Sequence, residues 1–142
     1  MKTFSVTTPI RATPEVIWGI LTDAPNYATW NTTVDKVDGR IEHGQKVTVH
    51  AKINPGRAFP VNVTEFVPNK KMVWTGGMPL RLFTGERTFT LTPGSDGQVT
   101  FDMREIYTGP LASLIGRSIP DLQPAFDEFA SALKSTAEGR SS

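Results

Sequence analysis

The sequence predicts a single α+β domain in which a run of β-strands is covered by one long C-terminal helix, and three observations carry that expectation. Between Leu111 and Ala137, the residues Leu111, Leu114, Ile115, Ile119, Leu122, Phe126, Phe129, Ala130, Leu133 and Ala137 recur every three or four positions, the spacing of one helical face. From Ile41 to Tyr107 the chain reads instead as successive strands with a period of two. At 142 residues the chain suits one domain, long enough to bury roughly 70% of its unfolded surface. One helix must therefore cover much of a sheet. Whether the two surfaces mesh or leave a hollow decides what the protein can hold.

Phe4 to Pro9 alternates with β-branched residues and predicts a first strand. Thr13 suits an N-cap, with Pro14 in the first helical position and Glu15 favourable beside it, so a short helix follows to about Leu21, burying Val16, Ile17, Ile20 and Leu21. Asp23, Ala24 and Pro25 begin a second brief helical turn that carries Tyr27 and ends near Trp30. Val34 or Val37, with Ile41, leads to a turn at His43 and Gly44. Next, Val47, Val49, Ala51 and Ile53 share one strand face, opposed by Lys46, Thr48, His50 and Lys52. Phe59 to Val67, the segment around Met72 to Thr75, Phe83 to Thr92 and Gln98 to Tyr107 continue as strands, about seven in all, with Gly94 to Gly97 as the clearest hairpin turn. Pro120 and Pro124 cannot both lie inside the last helix. The helix should break, with one piece from Pro110 to about Ser118 and a second capped by Asp121 that ends at Gly139. The domain is expected over 1–139, with 140–142 as a disordered tail.

The totals exclude several functions. Fifteen basic and fourteen acidic residues give a formal net charge of +1, and neither sign gathers into a run, so no footprint for nucleic acid or an anionic membrane is present. There is no cysteine, hence no disulfide framework and no thiol nucleophile. No apolar run reaches the ~18 residues of a membrane span, so stable membrane insertion is not expected. A cytoplasmic protein, monomer or homodimer, is the expectation. The two histidines, His43 and His50, join no cluster of acidic ligands, so neither a metal nor a cofactor is expected.

The segment Thr13-Pro14-Glu15-Val16-Ile17-Trp18, the stretch Tyr27 to Asn31, the strand running into Glu105-Ile106-Tyr107-Thr108-Gly109, and the closing amphipathic helix resemble the START-like, or SRPBCC, superfamily. More narrowly they resemble its polyketide cyclase and dehydrase group of small bacterial domains. The resemblance covers nearly the whole chain. It implies a helix-grip fold, in which a curved antiparallel sheet wraps the long C-terminal helix around a deep cavity for apolar or amphipathic molecules. It does not imply one activity, because members include lipid carriers, hormone receptors, aromatases and chaperone cofactors.

Alternation across the last hairpin turns Phe83, Gly85, Arg87, Phe89 and Leu91 inward, together with Val99, Phe101, Met103, Glu105 and Tyr107. The turn places Arg87 opposite Met103 or Glu105, so the two inward charges can pair. Burying either alone would cost several kcal/mol, which demands mutual pairing or a wet cavity. Trp74, Phe83, Arg87, Met103, Glu105, Tyr107 and Phe126 are the expected ligand-binding residues, with Trp30 bracing the second short helix. Gly76, Gly77 and Gly85 beside large aromatics leave room unless backbone closes in. The Tyr107 hydroxyl is expected to meet a ligand oxygen or backbone near Gly109. By position, the resemblance makes a gate of two loops, Asn54 to Pro60 with Pro55 and Gly56, and Gly76 to Leu82 with Met78 and Leu80. Three functions follow: a carrier of a small hydrophobic or amphipathic molecule, a metal-free cyclase, aromatase or dehydratase using Glu105, Tyr107 and Arg87, or an interaction module without a small ligand.

Overall fold

The computed structural model describes residues 2–52, 58–77, 79–115, 117 and 121–141. Strand β1 (Lys2–Ile10) leads to helix α1 (Pro14–Leu21), whose start follows the sequence: Thr13 is extended and its Oγ1 accepts a hydrogen bond from Val16 N at 3.2 Å. A 3-10 turn (Ala24–Asn26) runs into α2 (Tyr27–Trp30). Six strands follow: β2 (Val34–Asp38), β3 (Lys46–Ala51), β4 (Phe59–Val67), β5 (Lys71–Gly77), β6 (Thr84–Pro93) and β7 (Val99–Thr108). A short helix, α3 (Ala112–Ile115), precedes the long α4 (Gln123–Ser141).

The seven strands form one antiparallel sheet in the order β1-β7-β6-β5-β4-β3-β2. Each strand from β2 onward pairs with the next in sequence, and β1 closes on β7, which brings the first and last strands together. Irregularities at Val34/Lys36 and Val63/Glu65 add local bend, as bulges do, and the sheet curls around α4. The β6–β7 turn has Gly97 in the left-handed region (φ +78°) and closes with Gly94 N donating to Gln98 O at 2.8 Å. Its register sets Arg87 opposite Glu105, one of the two pairings that the sequence allowed.

Helix α4 buries Phe126, Phe129, Ala130, Leu133 and Ala137, lies along β1 and packs against α1 and α2. Gln123 Nε2 donates to Ser5 O at 2.9 Å and Lys134 Nζ to Pro9 O at 2.7 Å, so the helix is tied to the middle and the end of β1. Phe129 stands at the centre of the core, with the rings of Trp30 (5.3 Å), Phe89 (6.1 Å), Phe101 (6.1 Å) and Tyr27 (6.5 Å) around it.

The structure corrects three local expectations. Trp18 joins Ile17, Ile20 and Leu21 in the core and meets Phe66 at 5.3 Å, whereas Val16 is half-buried, because α1 is packed on two sides rather than one. Leu114 is 66% exposed. It belongs to α3, which is interrupted before α4 begins, so the helical stripe does not run on in register. Asp121 does turn the chain into α4, its Oδ1 accepting from Gln123 N at 3.1 Å, and Pro124 lies in the first turn. Finally, α4 does not stop at Gly139 but continues over Arg140 to Ser141. Gly139 is absent from the left-handed region that a glycine stop uses. The turn before it is held: Glu138 Oε2 accepts from Arg11 N at 3.0 Å and from Lys134 Nζ at 2.8 Å, and these contacts, the backbone one foremost, lower the Glu138 pKa.

Candidate functional site: a cavity between sheet and helix

Inward side chains of the sheet line up in rows across the strands, as period-two alternation requires. One row runs Met72, Phe89, Met103 and Val6, the next Trp74, Arg87, Glu105 and Phe4, and the third Gly76, Gly85, Tyr107 and Lys2. Where the first row meets α4 the side chains fill the space. Beyond it the helix and sheet part, and a cavity of about 700 Å³ opens between the first turns of α4, α3 and the concave faces of β3 to β7. Trp74, Phe83, Arg87, Met103, Glu105, Tyr107 and Phe126, the seven residues singled out from sequence as ligand-binding, all line it.

Its walls are mainly apolar and its polar groups converge on one cluster. Arg87 Nε donates to Glu105 Oε1 at 3.0 Å, with 24% and 14% of the two side chains exposed. Tyr107 Oη donates to Glu105 Oε2, so both carboxylate oxygens are engaged. The protein partner of this hydroxyl is a carboxylate two residues away on the same strand face rather than backbone near Gly109. The Arg87 guanidinium also lies over Phe126, with its carbon 4.8 Å from the ring centre. Tyr107 is stacked on Phe83 at 5.4 Å with 11° between planes and meets the edge of Phe4 at 6.4 Å. Burial above all, then the charge of Glu105 and the hydrogen bond to it, raise the Tyr107 pKa.

The glycines do not act as the sequence suggested. A Cβ on Gly85 would sit 3.0 Å from Tyr107 Cε1, and one on Gly76 would sit 2.8 Å from Pro60 O. Their missing side chains thus admit an aromatic ring and a carbonyl rather than adding open volume. Trp30 contacts Tyr27 at 5.1 Å and Phe129 at 5.3 Å and braces α2, away from the cavity. Leu80 does not cover the cavity either. It is 91% exposed and, like Arg81, has left-handed backbone (φ 60° and 56°), which turns its side chain out to solvent. Pro55, Gly56 and Met78, the other gate residues proposed from sequence, lie outside the described residues.

Sequence reasoning found Phe126 but missed the rest of the helix wall. Ala125 and Phe129 line the cavity from α4, Leu122 from just before it and Ile115 from α3. The spacing of Leu122, Ala125 and Phe129 carried that signal, since steps of three and four put them on one face. Among the described residues no group of three His, Cys, Asp or Glu could hold a metal.

A family model described as polyketide cyclase / dehydrase and lipid transport matches residues 1–138. The chain belongs to that family. Solved structures agree in fold: a START superfamily protein from Mycobacterium smegmatis (18% identity, 97% of this chain and 98% of that one, TM-score 0.68) has the same architecture. So do the Aha1 dimer from Colwellia psychrerythraea (20% identity, 97% of each chain, TM-score 0.73) and a hypothetical protein from Helicobacter pylori (11% identity, 96% and 88%, TM-score 0.78). At these identities the likeness is one of fold, and the helix-grip architecture expected from sequence is the one present. Comparison with curated proteins gives no match. Among the described residues no helix is long and apolar enough to cross a membrane.

Proposed function

We propose that the protein binds and carries a small hydrophobic or amphipathic molecule in the cavity between the sheet and α4. The carrying observation is the cavity itself: about 700 Å³, inside the roughly 300 to 1,000 Å³ of small-molecule sites. Affinity comes from the apolar walls, at about 25 cal/mol for each Å² of apolar surface removed from water. Orientation comes from the Arg87, Glu105 and Tyr107 cluster. An interaction module with no small ligand gains nothing from such a hollow, which is lost packing for the chain that keeps it empty.

A cyclase or dehydratase reading rests on the family description and on the same cluster. It is the weaker one on chemical grounds. General base catalysis needs a group that readily takes up a proton, whereas the Arg87 cation paired with Glu105 favours its carboxylate form and the Tyr107 phenol is held protonated. Native mass spectrometry of the purified protein tests the carrier. A heavier species that collapses to the bare chain on activation supports it. A bare chain alone, combined with no binding of the apolar dye Nile red, defeats it. Turnover of a polyketone substrate that disappears in Tyr107→Phe, with folding retained, would instead favour the enzyme.

A further inference from the structure

Within that carrier reading, the polar end of the cavity is specific enough to select the head group of the guest. We infer that the site takes neutral amphiphiles whose head is a hydrogen-bond acceptor, such as an ester, ketone or other carbonyl, and discriminates against carboxylates such as free fatty acids.

The argument is a census of the donors and acceptors that face the hollow. Among the described lining residues only Arg87 and Glu105 carry charge, and they are paired at 3.0 Å, so the wall is neutral overall. Each Glu105 oxygen already accepts one bond, from Arg87 Nε and from the Tyr107 hydroxyl, and the lone pairs left on a carboxylate serve a donor, not a carbonyl or a second carboxylate. The Thr33 hydroxyl donates to Asn31 Oδ1 at 2.6 Å. Trp74 Nε1 has no partner but is fully buried rather than open to the hollow. Among the described lining side chains, what remains for a guest acceptor is the rest of the guanidinium fork, since Nε is only one of five N–H donors on an arginine. The fork is fixed on one side by Glu105 and on its face by Phe126, so those donors are directed and not free to follow a guest.

A neutral carbonyl accepts from this fork without disturbing the pair. An incoming carboxylate meets Arg87 with its charge already compensated and Glu105 beside it, and like charges in a partly desolvated site repel. It gains from Arg87 only by displacing Glu105, which would strand a buried carboxylate. Apolar area alone does not discriminate either way, because a hydrocarbon chain fills the same walls.

Three ligands of one chain length separate these contributions: dodecane, methyl dodecanoate and dodecanoate, each titrated at pH 8 against the Nile red complex of the full chain. The expected order is methyl dodecanoate tightest, with dodecanoate weaker by about tenfold, the scale of one charge-assisted hydrogen bond gained or lost. Glu105→Gln removes the compensating charge, so dodecanoate should gain about tenfold while the ester changes little. Arg87→Met removes the donors, and the preference of the ester over dodecane should vanish. The wild-type ranking needs no variant to fold. Dodecanoate binding as tightly as the ester or tighter overturns the inference and leaves the carrier reading standing, as does an ester no tighter than dodecane. Binding of none of the three, nor of Nile red, overturns both.

Discussion

Two stretches of one seam, where the sheet meets α4, behave in opposite ways. At the first, Met72 and Phe89 lie side by side on two strands, neither exposed at all, and Leu133 and Ala137, equally enclosed, fill the helix side. At the second, two rows further along, Tyr107 fills the space beside Gly85, and α4 with the residue before it presents Leu122, Ala125 and Phe126 to a cavity. The same alternation builds both. The difference lies in how closely the helix approaches the sheet, and it teaches that one end of the seam supplies stability while the other gives it up for a hollow.

The comparison can be broken most forcefully at its packed end. Leu133→Ala should lower the unfolding free energy by about 2–5 kcal/mol, read from urea denaturation, because a side chain with no exposure that lies away from the hollow leaves a void its close-packed neighbours cannot fill. A loss below about 1 kcal/mol would mean that the seam is loose throughout. Adding volume gives a sharper contrast. Ala137→Leu, at a position with no exposure, should destabilise by about 1–3 kcal/mol through overpacking. Ala125→Leu, which points into the hollow, should change stability by less than about 1 kcal/mol. Equal penalties at the two sites would erase the distinction.

The two tyrosines of the chain divide between the same two regions. Tyr27 is enclosed at the packed end with its hydroxyl donating to Leu21 O at 2.5 Å, and Tyr107 faces the cavity. Burial raises the pKa of both. The sign follows from linkage. A raised pKa contributes stability that is fully present below the unfolded value near 10 and is lost as pH climbs above it. Ultraviolet titration should therefore show little tyrosinate at pH 10, with ionisation arriving together with alkaline unfolding. A tyrosine that ionises near 10 in folded protein would show that its surroundings are wet. The smallest effect lies outside the seam. Gly139→Ala should stabilise by about 0.5–1 kcal/mol, since nothing crowds the position and α4 continues through it; a loss would restore Gly139 as a helix stop.

Most of the fold was legible because it rests on period and punctuation. Thr13, Pro14, Asp121 and the Gly94 to Gly97 turn each acted as their chemistry suggests, and the Arg87–Glu105 pairing followed from counting back from that turn. What stayed illegible depends on distant partners. The exposure of Leu114 reflects the interruption between α3 and α4, and the burial of Trp18 reflects Phe66 arriving from β4. Whether Gly85 leaves a void or seats a ring depends on Tyr107, which lies on another strand. The second partner of Glu105 was equally hidden, since alternation fixes which face Tyr107 occupies but not where its hydroxyl points.

The central claim is that the gap at the second stretch belongs to a guest. Nile red titration of three proteins, the wild type, Ala125→Leu and Ala137→Leu, tests it most directly. One saturable dye per wild-type chain, affinity lower by about tenfold in Ala125→Leu and unchanged affinity in Ala137→Leu is the predicted result. No saturable binding, or an equal loss in both variants, would contradict the account.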